Sequence, residues 1–270
     1  VHIYKITSLG RSLDTNYSKH RTIIILSILT GLSSSIFQVI NKSALIDIFS
    51  EGIKAAIILF LVWAIAREID PDHENSAFAS VVLAIPIVII QAGQPIVPLV
   101  WILLSLRTID RSVGIAAGIV DSLIIIALGS ILSITINWIF LPLTILVFIT
   151  DKQLSIEGKN RYLMQAAIIA AILIFLSTFK TGIHTLYSNI PYFIATSIVF
   201  VPFIIGSKIL KSVGDINGEL LDESRVNAAQ IALLLCYLFL STIEYGNHQL
   251  LGIIMIGVGI YQLIPKTLKT

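Results

Sequence analysis

Ten strongly apolar runs separated by short polar turns constrain this chain more than any motif in it. They fall at 22–40, 52–66, 77–92, 95–106, 113–130, 131–150, 162–179, 191–207, 226–243 and 248–264. Most approach the ~17–25 residues a helix needs to cross a hydrocarbon core of about 30 Å, with 95–106 the shortest. In lipid a segment must pair its own backbone N–H and C=O groups, so the helix is the default. The predicted fold class is all-α: a polytopic transmembrane bundle of about ten helices. Composition agrees, since 13% charged and 56% hydrophobic residues are far from the roughly 25% charge of soluble domains. A mean hydropathy of +0.93 is more apolar surface than a soluble domain of 270 residues could cover.

Two boundaries are open. Gly93-Gln94-Pro95 makes 77–106 either a hairpin of spans or a re-entrant pair, and 113–150 must split, with the break expected near Gly129-Ser130. Ten spans with the amino terminus inside place 15 of the 18 basic residues in cytoplasmic segments and leave Lys42, Lys54 and Lys180 outside. Both termini are therefore expected in the cytoplasm. Residues 1–21 read as a basic cytoplasmic tail, 22–264 as one integral-membrane domain with possible five-helix halves meeting near 150–160, and 265–270 as a short tail. The run 22–40 reads as an uncleaved targeting signal, and the expected location is the plasma membrane, multi-pass. Basic residues are spread along the chain, which argues against nucleic acid. The lone Cys236 excludes an internal disulfide and reads as a small core residue.

The densest charge lies in "REIDPDHE", Arg67 to Glu74. Its structural reading makes Asp70 the N-cap of a helix that begins at Pro71, with Asp72 and Glu74 favouring the helix start. Arg67 and Glu68 then close the preceding helix. Its functional reading has Glu68, Asp70, Asp72 and His73 bind a hard cation, or Arg67 and His73 grip a phosphate. A second inner turn, "LRTIDRS", carries Arg107, Asp110 and Arg111. The two turns either face each other across a cytoplasmic vestibule or stand apart. "REIDPD…SA", followed by the pattern R-x-x-D-R-x-x-G…D-S at Arg107, Asp110, Arg111, Gly114, Asp121 and Ser122, resembles a family of prokaryotic multi-pass membrane proteins with no assigned activity. The resemblance covers residues 67–122 and implies no chemistry.

Asp121 is the most informative single residue. A helix continuing from Arg111 would place it roughly 15 Å deep, near mid-membrane, where a carboxylate is costly and faces protein or water. Gly114, Gly118 and Asp121, at i, i+4 and i+7, would share one helix face suited to close packing. Asn227, Gln230, Tyr237, Ser241 and Glu244 form a polar stripe along the run 226–243, which either packs on polar partners or lines a solvated path. Pro86, Pro98, Pro142 and Pro202 are expected to interrupt helices, and Pro86 and Pro202 fall at similar depths in the third and eighth runs, a pointer to paired repeats. Gly31-Leu32-Ser33-Ser34-Ser35 is expected to let the first helix pack tightly. "GDINGELLDE" lacks the ligand spacing of a calcium loop. Nucleophile-elbow, P-loop, zinc-protease and dinucleotide motifs are absent.

The leading expectation is a small-solute or ion-coupled secondary carrier with Asp121 as coupling carboxylate, no cofactor, and the bilayer and a small molecule or ion as partners. The alternative is a membrane-embedded enzyme acting on a lipid or polyprenyl phosphate at the cytoplasmic face. There Glu68, Asp70 and Asp72 would hold magnesium, and Arg67, Arg107 and Arg111 the phosphate. A third reading is a membrane subunit without chemistry of its own, so whether the chain is an enzyme stays open, leaning against.

Overall fold

The computed structural model describes residues 7, 9–11, 13–41, 43–91, 93–155, 190–206, 210–242 and 248–264. The predicted run 162–179 and the candidate residue Glu244 lie outside them. Among the described residues the structure is helical without strands, apart from one isolated bridge between Val213 and Leu220. The helices are α1 (Ser18–Ile40), α2 (Leu45–Ile69), α3 (Glu74–Ile90), α4 (Ile96–Asp110), α5 (Ile119–Thr135), α6 (Phe140–Gln153), α7 (Ile190–Gly206), α8 (Glu223–Thr242) and α9 (His248–Leu263). Three segments, Ser18–Ile40, Leu45–Ile69 and Glu223–Ser241, are long and apolar enough to cross a membrane. The others have 14 to 17 residues. At 1.5 Å per residue they reach roughly 21–26 Å, less than the ten full spans expected.

α1 carries its residues in the order that suits lipid. Ile25, Ile28, Leu29, Leu32 and Ile36 are exposed, while Ser27, Thr30, Gly31 and Ser34 are buried. Small and polar groups face protein, and large apolar groups face the surroundings. Gly31 meets Gly52 of α2 so closely that a Cβ at Gly31 would lie 2.7 Å from the Gly52 carbonyl oxygen. Ser35 donates to the Ile48 carbonyl at 3.1 Å. The expected tight packing through the Gly-Ser stretch is found.

α2 is the central element. Ile58, Leu59, Val62, Ile65 and Ile69 are fully buried, and α2 packs on α1, α3, α4, α8 and α9. α3 packs on α1, α2 and α9, whereas α4 packs on α2, α5, α6 and α8. α3 and α4 are thus two helices separated by α2, not a packed hairpin. Trp101 of α4 meets Phe140 of α6 edge to face at 5.4 Å.

Two boundary expectations are corrected. The chain does not break at Gly129-Ser130, because α5 continues to Thr135. Gly129 is a contact glycine, with Thr144 of α6 where its Cβ would be. The turn falls at Asn137, whose Oδ1 accepts the Ile139 N–H at 3.1 Å, a local bond that favours turns over helix. Pro98 and Pro142 do not interrupt helices. Each is the third residue of its helix, inside the first turn, where no intrahelical donor is lost. Pro86 and Pro202 do lie inside α3 and α7.

The α3–α9 contact is a close helix approach that depends on a glycine. A Cβ at Gly257 would fall within 2.6 Å of the Ser80 backbone nitrogen, and Ser80 Oγ donates to the Ile254 carbonyl at 3.0 Å. Gly257→Val should lower stability by about 1–3 kcal/mol through overpacking. Gly93→Ala, which meets only the Glu51 carboxylate at 3.5 Å, should leave it unchanged. Unfolding midpoints of the two purified variants in detergent would check this.

Candidate functional site

One end of the bundle gathers most of the charge. It is formed by the ends of α2, α4, α6, α7 and α9, the starts of α1, α3, α5 and α8, the segment before α1, and the loop before α8. Glu68, in the last turn of α2, is 1% exposed. Its Oε1 accepts from Arg107 Nε of α4 at 2.7 Å and lies 3.6 Å from Arg11 Nη1. The two charged turns therefore do meet. Arg107 Nη1 also donates to the Leu9 carbonyl at 2.7 Å, and Arg11 forms a two-pronged bond with Asp215, both contacts at 2.7 Å. Burial alone would lower the Arg11 pKa, but Glu68 and then Asp215 raise it above the ordinary guanidinium value, so Arg11 stays charged. Asp110 closes α4, and its Oδ1 accepts the Ser112 N–H at 2.8 Å.

The "REIDPDHE" turn is built differently from the expected cap. Asp70 ends α2, and α3 starts at Glu74, after the Pro71-Asp72-His73 turn. Asp70 therefore caps no helix beginning at Pro71. Its carboxylate, 3% exposed, faces His73 Nδ1 at 2.9 Å and accepts from Gln262 Nε2 of α9 at 3.3 Å. Asp72 accepts the backbone N–H groups of Lys211 and Ser212 at 2.8 to 3.1 Å, pinning the loop before α8. Arg67 donates to the Pro71 carbonyl and to Glu74 at 3.1 Å. Glu74 also accepts from the Tyr17 hydroxyl. That bond is the main cause of a raised Tyr17 pKa.

Asp121 is not at mid-helix. Arg111 ends α4 in a left-handed conformation with φ 52°, Gly114 has φ 88°, and α5 starts only at Ile119. Gly114 is required there, since a side chain at positive φ is strained. Asn217 also sits where its Cβ would be. Residues 111–118 therefore form a loop, and Gly114, Gly118 and Asp121 share no helix face. Asp121 sits in the first turn of α5. It accepts the Gly118 N–H at 3.0 Å and the Thr7 hydroxyl at 2.5 Å. Its geometry is that of a helix-start cap that also ties down the amino-terminal segment.

The polar stripe of α8 is largely consumed in packing. Gln230, fully buried, donates to the Ile69 carbonyl at 2.8 Å. Tyr237 OH lies 3.1 Å from Thr196 Oγ1 of α7. Ser241 donates within its own helix at 2.7 Å, and Asn227 is half-buried. Gln230 also lines a cavity. Arg111 is likewise committed elsewhere. Asp151 of α6, 3% exposed, lies 2.9 Å from guanidinium nitrogens of both Arg111 and Arg225. Ser155 Oγ accepts from the same two residues at 2.6 and 3.0 Å.

Two cavities flank the α2–α3 turn. The first, of about 300 Å³, is walled by Asp70, Asp72, His73, Gln230 and Gln262 on its polar side and by Val199, Pro202 and Phe203 of α7 on its apolar side. Among the described residues no Lys or Arg lines it. The second, of about 380 Å³, is walled by Arg11, Lys19, Arg67 and Arg107, three carboxylates, and an apolar patch that includes Phe60, Trp63 and Phe78. Glu68 lines one cavity and Asp70 and Asp72 the other, so the carboxylates expected to share a magnesium ion do not share a site. Among the described residues no three His, Cys, Asp or Glu side chains converge on one point. Arg11, Lys19, Asp151, Arg225 and Gln262 were not singled out from sequence. Gln262 alone had a local signal, as a polar residue in the last turn of an apolar helix.

Asp151→Asn would leave the buried Arg225 and the half-buried Arg111 without a counter-charge among the described residues and should lower stability by about 3–5 kcal/mol. Adding Arg225→Met should recover part of the loss, because the two residues act as one unit. Chemical unfolding of both variants would measure this. No family model, no curated protein and no solved structure matches this chain.

Proposed function

We propose that this protein is a small-solute or ion-coupled secondary carrier, embedded in the plasma membrane by about ten helices with both termini in the cytoplasm. The observation that carries the reading is the cavity of about 300 Å³ beside Asp70 and His73, at the lower end of the range for small-molecule sites. Its two carboxylates face no described Lys or Arg side chain across the cavity, so its chemistry favours a cationic solute. Gln230 and Gln262 supply polar groups, and α7 supplies an apolar wall that includes Pro202.

The prolines support the architecture. Pro86 is the thirteenth residue of α3 and Pro202 the thirteenth of α7, and both helices have 17 residues. Matching interruptions in opposed halves are a feature of carriers built from inverted repeats. The charged end collects Arg11, Lys19, Arg67, Arg107, Arg111 and Arg225, which favours a cytoplasmic orientation for it. In this reading the coupling carboxylate is Asp70, and Asp121 is a cap.

The test is a thermal-stability screen of the purified protein against cationic, neutral and anionic small solutes, followed by uptake of the hits into proteoliposomes. A cationic hit at one hundred times its Kd should stabilise by about 2.7 kcal/mol. Asp70→Asn should abolish both the shift and uptake. Asp121→Asn should keep uptake while losing about 0.5–2 kcal/mol of stability as a lost cap. Uptake that survives Asp70→Asn, or fails only in Asp121→Asn, would overturn the assignment.

A further inference from the structure

The second cavity is separate from the proposed transport site and has the opposite character. Four cations, Arg11, Lys19, Arg67 and Arg107, line it with three carboxylates, Glu68, Glu74 and Asp215. The carboxylates are all taken: Glu68 by Arg107 and Arg11, Glu74 by Arg67, Asp215 by Arg11. Among the described residues no carboxylate pairs with Lys19, whose Nζ lies 2.5 Å from Asn75 Oδ1 and 5.6 Å from the centre of the Phe78 ring. Among the Arg, Lys, Asp and Glu side chains that line the cavity beside His20, one positive charge is therefore left over. Phe60, Trp63 and Phe78 form an apolar wall directly beside the cations.

We infer that this cavity binds a singly charged phosphodiester, with Lys19 as its counter-ion and the aromatic wall against the adjoining carbons. Such a group supplies the one negative charge the cavity lacks and acceptor oxygens that the Lys19 ammonium can use. A diester places carbon on both sides of the phosphate, which suits the juxtaposition of cations and aromatic rings better than a bare anion does. The same chemistry is presented by a phospholipid headgroup and by a soluble phosphodiester.

The experiment is a thermal-unfolding titration of the purified protein with dioctanoyl phosphatidylglycerol, glycerophosphoglycerol and dioctanoylglycerol. These supply the diester with chains, the diester alone and the chains alone. Wild type should show a saturable rise in midpoint with phosphatidylglycerol and none with dioctanoylglycerol. Lys19→Gln should weaken half-saturation by about tenfold. Lys19→Arg should retain it, and Lys54→Gln, at the opposite end of the bundle, should not change it. A comparable response to glycerophosphoglycerol would assign the site to soluble diesters, and its absence to lipid. Equal responses to all three compounds, no response, or a response unchanged by Lys19→Gln would overturn the inference.

Discussion

The charged end depends on one buried carboxylate. Transferring Glu68 out of water costs several kcal/mol even after relaxation, and only close partners with good geometry offset it. Arg107 at 2.7 Å and Arg11 at 3.6 Å are those partners, and neither serves Glu68 alone. Arg107 also holds the Leu9 carbonyl, and Arg11 also holds Asp215. From a single side chain the network thus ties α2 to α4, to the segment before α1, and to the loop before α8. The loop is held again by Asp72, and the amino-terminal segment again by Asp121. Both cavities take their shape from elements fixed in this way.

The α2–α3 turn sorts its charges between two sides. Arg67, Glu68 and Glu74 face one cavity, and Asp70, Asp72 and His73 face the other. In sequence Asp70, Asp72 and His73 sit between Glu68 and Glu74 within eight residues, and so dense a cluster gives no hint of separation. Folding separates them because Pro71 and the turn around it reverse the chain between the two helices. One short stretch therefore supplies an acidic wall and part of a basic one, with the α2 terminus between them.

Hydropathy made most of the fold legible. Apolar runs located every described helix, because in a medium that cannot hydrogen-bond the backbone, length and composition dominate the choice of conformation. What it did not reveal has specific causes. The loop at 111–118 reads as apolar, and only the positive φ of Arg111 and Gly114 stops the helix there. Asp121 is consequently a residue of the first turn of α5 and not of a helix running on from Arg111. The meeting of Glu68 with Arg107, of Asp70 with Gln262 and of Asp151 with Arg225 spans 39, 192 and 74 residues, and no local pattern encodes partners so far apart. The charged cluster was visible as a cluster, but its division into two sites is a property of packing. The α8 stripe was visible as polar, but whether polar groups meet water or other helices is decided by the neighbours.

The unequal helix lengths bear on the surrounding lipid. α1 and α2 have 23 and 25 residues, whereas α5 and α6 have 17 and 14. At 1.5 Å per residue that is roughly 35–38 Å against 21–26 Å. If α5 and α6 cross the membrane as the proposed carrier reading requires, a bilayer of uniform thickness would not match both flanks of such a bundle. The long pair would then tilt, and the short pair would be accommodated by local thinning, by flanking side chains that reach for the interface or by oligomerising. The protein would then deform its bilayer asymmetrically, drawing shorter-chain lipids to the α5–α6 flank and setting its own preference among membranes of different thickness.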